Sequence, residues 1–303
     1  MTRMPCRGRI GCKICYLVKT VLFIVNPKAG KGRNLDLDNL ARQNLDSRCF
    51  KWSVAWTQYA GHAEILAREA DADIVVAVGG DGTVNEVARG LVGSDKTLGI
   101  IPCGSGNGLA FHYGLSADPK KAMNLIASGT VHQMDYGTVC GHPFFCTCGV
   151  GMDAEVSSIF ASGTKRGLWS YVKDTVREIC RYSPEIYHIE TESESFDVGA
   201  ALITVANANQ WGNNAFIAPG ASTSDGLFDI TIVKPFSFPA AAPLAVRLFD
   251  GTICKDRHIL SLKAKRVTIV RNSPGWAHYD GDPVMLDKKV EITLEPEKLN
   301  VLV

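Results

Sequence analysis

The N-terminal part of the chain alternates short apolar runs with amphipathic segments, and this alternation constrains the fold more than any other feature. Apolar runs at Val21–Val25, Trp52–Trp56, Ile74–Val78 and Leu98–Ile101 predict four strands. Helical spacing of apolar residues predicts a helix at Gly61–Ala70. Strands that are apolar throughout and separated by helices are typical of a parallel sheet covered on both faces. We therefore predict an α/β domain of three layers, similar to a Rossmann fold.

After about residue 135 the chain has a different character. Four β-rich segments are separated by turns: Ala201–Ala206, Phe228–Val233, Val267–Val270 and Val290–Leu294. Only Leu168–Tyr182 shows a clear helical pattern in this half. Such a texture predicts an all-β domain, an antiparallel β-sandwich or barrel.

A length of 303 residues favours two domains. We assign residues 20–135 to the α/β domain and residues 136–289 to the β-rich domain. Residues 1–19 differ in character from the rest, and we expect them to form a disordered extension.

Composition disfavours several classes of function. The chain is 46% hydrophobic and 21% charged, and its net charge of +1 gives no overall basic field for nucleic acid. No apolar run reaches the roughly 18 residues that a membrane-spanning helix needs. We expect a cytoplasmic protein, peripherally associated with the membrane, that has no nucleic-acid partner. A homodimer is the default assembly.

Two glycine-rich loops follow predicted strands and give the strongest functional signal. Gly79-Gly80-Asp81-Gly82-Thr83 precedes an amphipathic helix, and Gly104-Ser105-Gly106-Asn107-Gly108 follows the next strand. Glycines let a backbone approach a ligand closely, and a helix N-terminus offers unpaired N–H groups to phosphate. Both loops would lie at the carboxyl edge of a parallel sheet, where ligands bind. The pair predicts a polyphosphate site.

Neither loop matches the common nucleotide fingerprints. Leu109 stands where the third glycine of G-x-G-x-x-G should be, and Lys31 follows Gly30 without a complete G-x-x-x-x-G-K-[ST]. A dehydrogenase and a P-loop NTPase are both disfavoured.

The ordered set of motifs resembles the diacylglycerol kinase catalytic-domain family, which includes bacterial lipid kinases, sphingosine kinases and ceramide kinases. The resemblance rests on Asn26-Pro27 with Gly30 and Gly32, on Gly79–Asn85 and on Pro102–Asn107. It implies ATP bound between a Rossmann-like domain and a β-rich domain. It also implies that the last segment, residues 290–303, returns to the first domain.

The resemblance, together with the two loops, assigns residues to the nucleotide site. Ser105 stands where the family more often has threonine, and either residue offers a hydroxyl. The predicted nucleotide-binding residues are Asn26, Thr57, Gly79, Gly80, Asp81, Gly82, Thr83, Asn85, Gly104, Ser105 and Asn107.

Two acidic turns lie in the second half, at Asp225-Gly226 and at Asp280-Gly281-Asp282. Asp-Gly is a frequent hairpin turn, so spacing alone favours turns without chemistry. Phosphoryl transfer, however, usually needs Mg²⁺, which prefers oxygen ligands. The resemblance implies a structural Mg²⁺ bound by Asp225 and by the carbonyl groups of Ser222 and Leu227.

The second acidic turn matches the catalytic turn of the family, whose usual form is Asp-Gly-Glu. We predict that Asp280 accepts or orients the proton of the lipid hydroxyl, and that Asp282 assists or holds metal. Asp81 is a third carboxylate that could bind the Mg²⁺–ATP complex. The sequence leaves open which of the three is the base.

Two segments could serve the lipid. The apolar stretch from Pro235 to Phe249 is either a lipid entrance or a helix packed on the core. Lys165-Arg166, before Trp169 and Tyr171, suits an anionic membrane surface or forms a solvated turn.

We therefore predict an ATP-dependent kinase that phosphorylates a hydroxyl of diacylglycerol or a sphingoid-type lipid. An NAD kinase would share Gly79–Thr83, but it is not expected to combine that loop with Pro102–Asn107 and both acidic turns. A non-catalytic nucleotide sensor is the other alternative, and it rests only on Asp282 where glutamate is usual.

Overall fold

The computed structural model describes residues 18–30, 35–152, 154 and 184–303. The helix predicted at Leu168–Tyr182 and the basic–aromatic segment at residues 165–171 lie outside these residues, as do Gly32 and residues 1–17. Lys19, predicted to belong to an extension, already begins the first strand.

The first domain contains a mostly parallel sheet with helices on both faces. The elements are β1 (Lys19–Val25), α1 (Leu37–Asn44), β2 (Phe50–Trp56), α2 (His62–Arg68), β3 (Ile74–Gly79), α3 (Asp81–Leu91), β4 (Thr97–Pro102), α4 (Gly108–His112), α5 (Pro119–Ser128), β5 (Val131–Met134) and β18 (Leu299–Leu302). The strand order in the sheet is β2-β1-β3-β4-β18-β5, and only the β18–β5 pair is antiparallel. Strands β3 and β4 are buried along their whole length, which explains their uninterrupted apolar sequences.

The second domain contains two antiparallel sheets of six strands, in the orders β10-β9-β14-β17-β6-β7 and β13-β12-β11-β8-β15-β16. Their inner faces share one apolar core that includes Phe144, Tyr187, Ile203 and Phe228. The elements are β6 (Gly137–Val139), β7 (His142–Phe144), β8 (Thr147–Gly151), β9 (Glu185–Thr191), β10 (Ser195–Ala200), β11 (Leu202–Ala206), β12 (Phe228–Val233), α6 (Phe238–Phe249), β13 (Ile259–Ala264), β14 (Arg266–Val270), β15 (Gly275–Tyr279), β16 (Asp282–Leu286) and β17 (Lys289–Leu294).

These two domains confirm the predicted fold class, an α/β domain followed by an antiparallel β-sandwich. The described residues include no helix that is both long and apolar enough to span a membrane.

The chain crosses between the domains twice, at Asp135 and after β17. The return occurs later than the predicted position at residue 290, because Val290 and Ile292 point into the core of the sandwich. Only β18 enters the first sheet. Asp135 is 2% exposed, and one of its carboxylate oxygens lies 2.6 Å from the ammonium of Lys298. This ion pair joins the two connections.

Candidate active site

The two glycine loops lie against each other at the carboxyl ends of β3 and β4. A Cβ atom on Gly104 would lie 2.5 Å from the Cα of Gly80, and one on Gly80 would lie 3.1 Å from the Cα of Gly104. A side chain at Gly104 would therefore collide with backbone, which has little room to move. At Gly80 and Gly104 the two loops are therefore in contact backbone against backbone.

Asp81 ties the second loop to the first. Its carboxylate accepts hydrogen bonds from the N–H of Asn107 at 2.8 Å and of Gly108 at 2.6 Å. Gly106 passes so close that a Cβ there would lie 2.6 Å from Oδ2 of Asp81. Both oxygens of this predicted catalytic carboxylate thus position the start of α4.

Asn107 closes the second loop on itself. It adopts the left-handed conformation, with φ 53° and ψ 44°. Its Oδ1 accepts from the N–H of Gly104 at 3.0 Å, and its Nδ2 donates to the carbonyl of Gly104 at 2.8 Å. Ser105, at the tip of the loop, is exposed. Of these two predicted nucleotide ligands, Ser105 has the accessible side chain.

The other predicted nucleotide residues meet at the ends of β1, β2 and β3. Nδ2 of Asn26 donates to Oγ1 of Thr83 at 3.1 Å. Thr57 follows β2, and its N–H donates to the carbonyl of Val25. Thr83 covers Gly79 so closely that no side chain fits at that glycine. The structure therefore brings these residues to the same edge as the glycine loops.

Helix α3 presents Asp81, Asn85 and Arg89 at a spacing of four, so these residues share one face. Nδ2 of Asn85 and Nη1 of Arg89 are buried, and neither has a hydrogen-bond partner within the described residues. Nε of Arg89 donates to Glu64 at 3.2 Å. Buried donors without acceptors cost free energy, which an anionic ligand would recover. Arg89 was not predicted from the sequence, although its spacing of eight residues from Asp81 places it on the same helix face.

Asp280 fastens the acidic turn to the connection between β7 and β8. It adopts a positive φ of 50° at the tip of the β15–β16 hairpin. Its carboxylate accepts from the N–H groups of Phe145 at 2.8 Å, Cys146 at 2.7 Å and Thr147 at 3.0 Å. Burial raises the pKa of Asp280 to about 6, although the three N–H groups act in the opposite direction.

Asp282 is exposed and faces the first domain. Its Oδ2 lies 3.9 Å from Nη1 of Arg89 on α3. Burial raises the pKa of the Cys146 thiol, and the negative charges of Asp280 and Asp81 raise it further. All three predicted catalytic carboxylates therefore lie where the two domains meet, and Asp282 is the exposed one.

A loop of the second domain also contacts the second glycine loop. The N–H of Asn213 donates to the carbonyl of Gly106 at 2.9 Å. Gly212 has a φ of 112°, and a Cβ there would lie 3.1 Å from the backbone of Gly106. This contact could not be predicted from the sequence, because nothing in residues 210–213 indicates that they pack against Gly106, about a hundred residues earlier in the chain.

The Mg²⁺ site predicted at Ser222, Asp225 and Leu227 does not fit the observed contacts. Oδ1 of Asp225 accepts from the N–H of Leu227 at 3.1 Å, and Oδ2 accepts from the ammonium of Lys263 at 3.0 Å. A cationic side chain already occupies the carboxylate that the prediction gives to Mg²⁺.

Paired glycine loops at the edge of a parallel sheet thus lie near an acidic turn of an antiparallel sandwich. The chain matches the diacylglycerol kinase catalytic domain over residues 20–139 and the YegS C-terminal NAD kinase beta sandwich-like domain over residues 146–303. It belongs to the diacylglycerol kinase catalytic-domain family, as the resemblance predicted.

Individual relatives agree with this assignment. A diacylglycerol kinase of Bacillus subtilis (strain 168) is 30% identical over 275 residues, which are 88% of this chain and 90% of the relative. The crystal structure of a diacylglycerol kinase from Bacillus anthracis str. Sterne has 22% identity and a TM-score of 0.71, and covers 94% of this chain and 97% of its own. An NAD kinase from Archaeoglobus fulgidus in complex with ATP has 12% identity and a TM-score of 0.53 over 93% of each chain. The two structural likenesses show the shared fold.

Proposed function

We propose that this chain is an ATP-dependent lipid kinase that transfers the γ-phosphoryl group to a hydroxyl of diacylglycerol or a sphingoid-type lipid. The contact between Gly80 and Gly104 carries the proposal, because it creates a backbone surface that a polyphosphate can approach closely. The name of the Bacillus subtilis relative supports diacylglycerol as the acceptor.

The residues at this surface fit a triphosphate. Helix α3 begins at Gly80 without a side-chain cap, so its first N–H groups and the positive end of its dipole face the loop. The buried donors of Asn85 and Arg89 lie on the same helix. When bound, ATP with Mg²⁺ supplies the phosphoryl group. The contribution of the chain is to position that group and to neutralise the charge that develops during transfer.

We assign to Asp282 the role of the base that removes the proton from the attacking hydroxyl. A base must reach the proton that it removes, so geometry is considered before pKa. Backbone N–H groups engage both oxygens of Asp280 and both of Asp81. Asp282 is exposed and lies opposite Arg89. This assignment reverses the roles that the sequence suggested for Asp280 and Asp282, and Asp280 becomes the residue that holds the turn.

Transfer of labelled γ-phosphate from Mg²⁺–ATP tests the proposal. The acceptors are mixed micelles of diacylglycerol, sphingosine or ceramide, with NAD in a separate reaction. We expect label on a lipid and none on NAD. Label on NAD alone would contradict the proposal and favour the soluble-substrate kinase. ATP that protects the protein against heat without labelling any acceptor would favour the nucleotide sensor.

We also propose that α6 contacts the membrane. Six of its residues are apolar and exposed, and they follow one stripe: Pro239, Ala242, Pro243, Ala245, Val246 and Phe249. Val246 is 64% exposed and Phe249 is 56% exposed. Beside the stripe lies a cavity of 320 Å³, lined in part by Arg257, so a cation is available to anionic headgroups.

Flotation with vesicles that contain phosphatidylglycerol tests this surface. Val246→Asp should reduce the floated fraction, because the substitution places a charge in the apolar stripe. Ile186→Asp is the matched control, since Ile186 is also 64% exposed but lies on β9. Equal flotation of the two variants would contradict the assignment of the surface to α6.

A further inference from the structure

The carboxylates beside the first acidic turn are neutralised by a lysine of the same sheet. We propose that Lys263 supplies the cation at the Asp225 turn and takes the place of a structural Mg²⁺ there. Its ammonium lies 3.0 Å from Oδ2 of Asp225 and 3.1 Å from Oδ2 of Asp229. One cationic group thus bridges two carboxylates, as a divalent ion would.

Backbone pairing places Lys263 at this position. In the antiparallel pair of β12 and β13, Asp229 lies directly opposite Lys263. Cβ atoms of directly opposed residues are about 5 Å apart, so the two side chains are neighbours whatever their rotamers. Asp225 lies four residues before Asp229, in the turn that leads into β12. The register of the two strands places the backbone of Lys263 opposite Asp229, and the lysine side chain then reaches both carboxylates.

The charges favour an ammonium that stays in place. Hydrogen bonding to Asp225 raises the pKa of Lys263, so the side chain remains charged throughout the physiological range. Burial raises the pKa of Asp229, and the nearby positive charge of Lys263 lowers it. A divalent ion placed beside this ammonium would be repelled by it, so binding at Asp225 would require the ammonium to leave.

The turn that Lys263 stabilises is attached to the connection between the domains. The N–H of Gly226 donates to Oδ2 of Asp135 at 2.9 Å, and Oδ1 of Asp135 binds Lys298. Lys263 thereby supports a structural network that reaches both domain connections. The Asp225 turn therefore keeps its structure without Mg²⁺. This inference does not depend on which acceptor is phosphorylated.

Thermal unfolding of the full chain without nucleotide tests the proposal, in the presence of EDTA and then of excess Mg²⁺. The wild type should unfold at the same temperature in both conditions. Lys263→Met should unfold about 2–4 °C below the wild type in EDTA, as expected for a loss near 1 kcal/mol in a chain of this size. Mg²⁺ should restore part of that loss. Lys265→Met is the matched control, because Lys265 is an exposed lysine that directly follows the same strand.

Three results would overturn the proposal: a rise in the wild-type unfolding temperature with Mg²⁺ that Asp225→Asn abolishes, equal stability of Lys263→Met and Lys265→Met, or no restoration of Lys263→Met by Mg²⁺. A second measurement covers the case in which Lys263→Met does not fold. Mn²⁺ is titrated into the nucleotide-free wild type and into Asp225→Asn, and free Mn²⁺ is followed by electron paramagnetic resonance. We expect identical titrations, and a site present only in the wild type would refute the proposal.

Discussion

At the scale of the residue, Asp280 combines a buried carboxylate with three backbone donors. The hydrogen bonds from residues 145–147 favour its charged form, whereas burial favours its neutral form and dominates. An amide in its place would present an NH₂ group to at least one of these N–H donors. Loss of activity in Asp280→Asn would therefore not identify a catalytic base unless the stability of the variant were also known.

The raised pKa of Asp280 predicts how stability changes with pH. Its folded-state value is about 6, against an ordinary value of 3.8, so the folded protein binds this proton more tightly than the unfolded chain. The stabilisation is complete below about pH 4 and is lost as the pH rises through 6, a change of about 3 kcal/mol. Urea unfolding of the wild type across this range should show the decline. In Asp280→Asn this component of the pH dependence should vanish, and an unchanged profile would contradict the assignment.

At the same scale, the tertiary partners of individual residues could not be predicted from the sequence. Asp81 was correctly placed in a glycine loop, but its partners Asn107 and Gly108 lie 26 and 27 residues further along the chain. Lys263 was not singled out, because its pairing with Asp225 depends on strand register across 38 residues. Such contacts depend on tertiary structure, and no local sequence pattern predicts them.

At the scale of the element, the two glycine loops pack directly against each other through their backbones at Gly80 and Gly104. Gly104→Ala should destabilise the protein by about 1–3 kcal/mol and raise the KM for ATP, because the new methyl group would push Gly80 away. Gly220→Ala is the control, since a Cβ there meets nothing within 4 Å. Chemical unfolding and initial rates check both effects. Equal stability and equal KM in the two variants would show that the loops do not depend on this contact.

The strands of the first domain were predictable because burial on both faces leaves an unbroken apolar sequence. Predicted runs at Ile74–Val78 and Leu98–Ile101 fall inside β3 and β4. The sequence did not decide whether the segment that forms helix α6 is a lipid entrance or a helix packed on the core. The helix contains Pro243 and an apolar exposed face, and both features are unusual for a surface helix. Helix α5 was missed, although Asp118 caps it and Pro119 occupies its first turn.

At the scale of the whole molecule, the two connections between the domains share one buried charge. Lys298→Met should destabilise the protein by about 3 kcal/mol, because it leaves the carboxylate of Asp135 buried without its cation. Removing both charges, in Asp135→Asn with Lys298→Met, should cost less than the single change. Chemical unfolding of the wild type, both single variants and the double variant measures the coupling. Additive losses would show that the ion pair does not join the connections energetically.

We propose that phosphoryl transfer occurs where the two domains meet, with Asp282 as the base and Asp280 as the residue that holds the turn. The most direct measurement compares Asp282→Asn with Asp280→Asn by kcat of transfer to the accepted lipid and by unfolding temperature. Asp282→Asn is predicted to keep the wild-type unfolding temperature and to lose at least about a hundredfold in kcat. Asp280→Asn is predicted to unfold at a lower temperature. Full activity in Asp282→Asn, or wild-type stability with no activity in Asp280→Asn, would contradict the account.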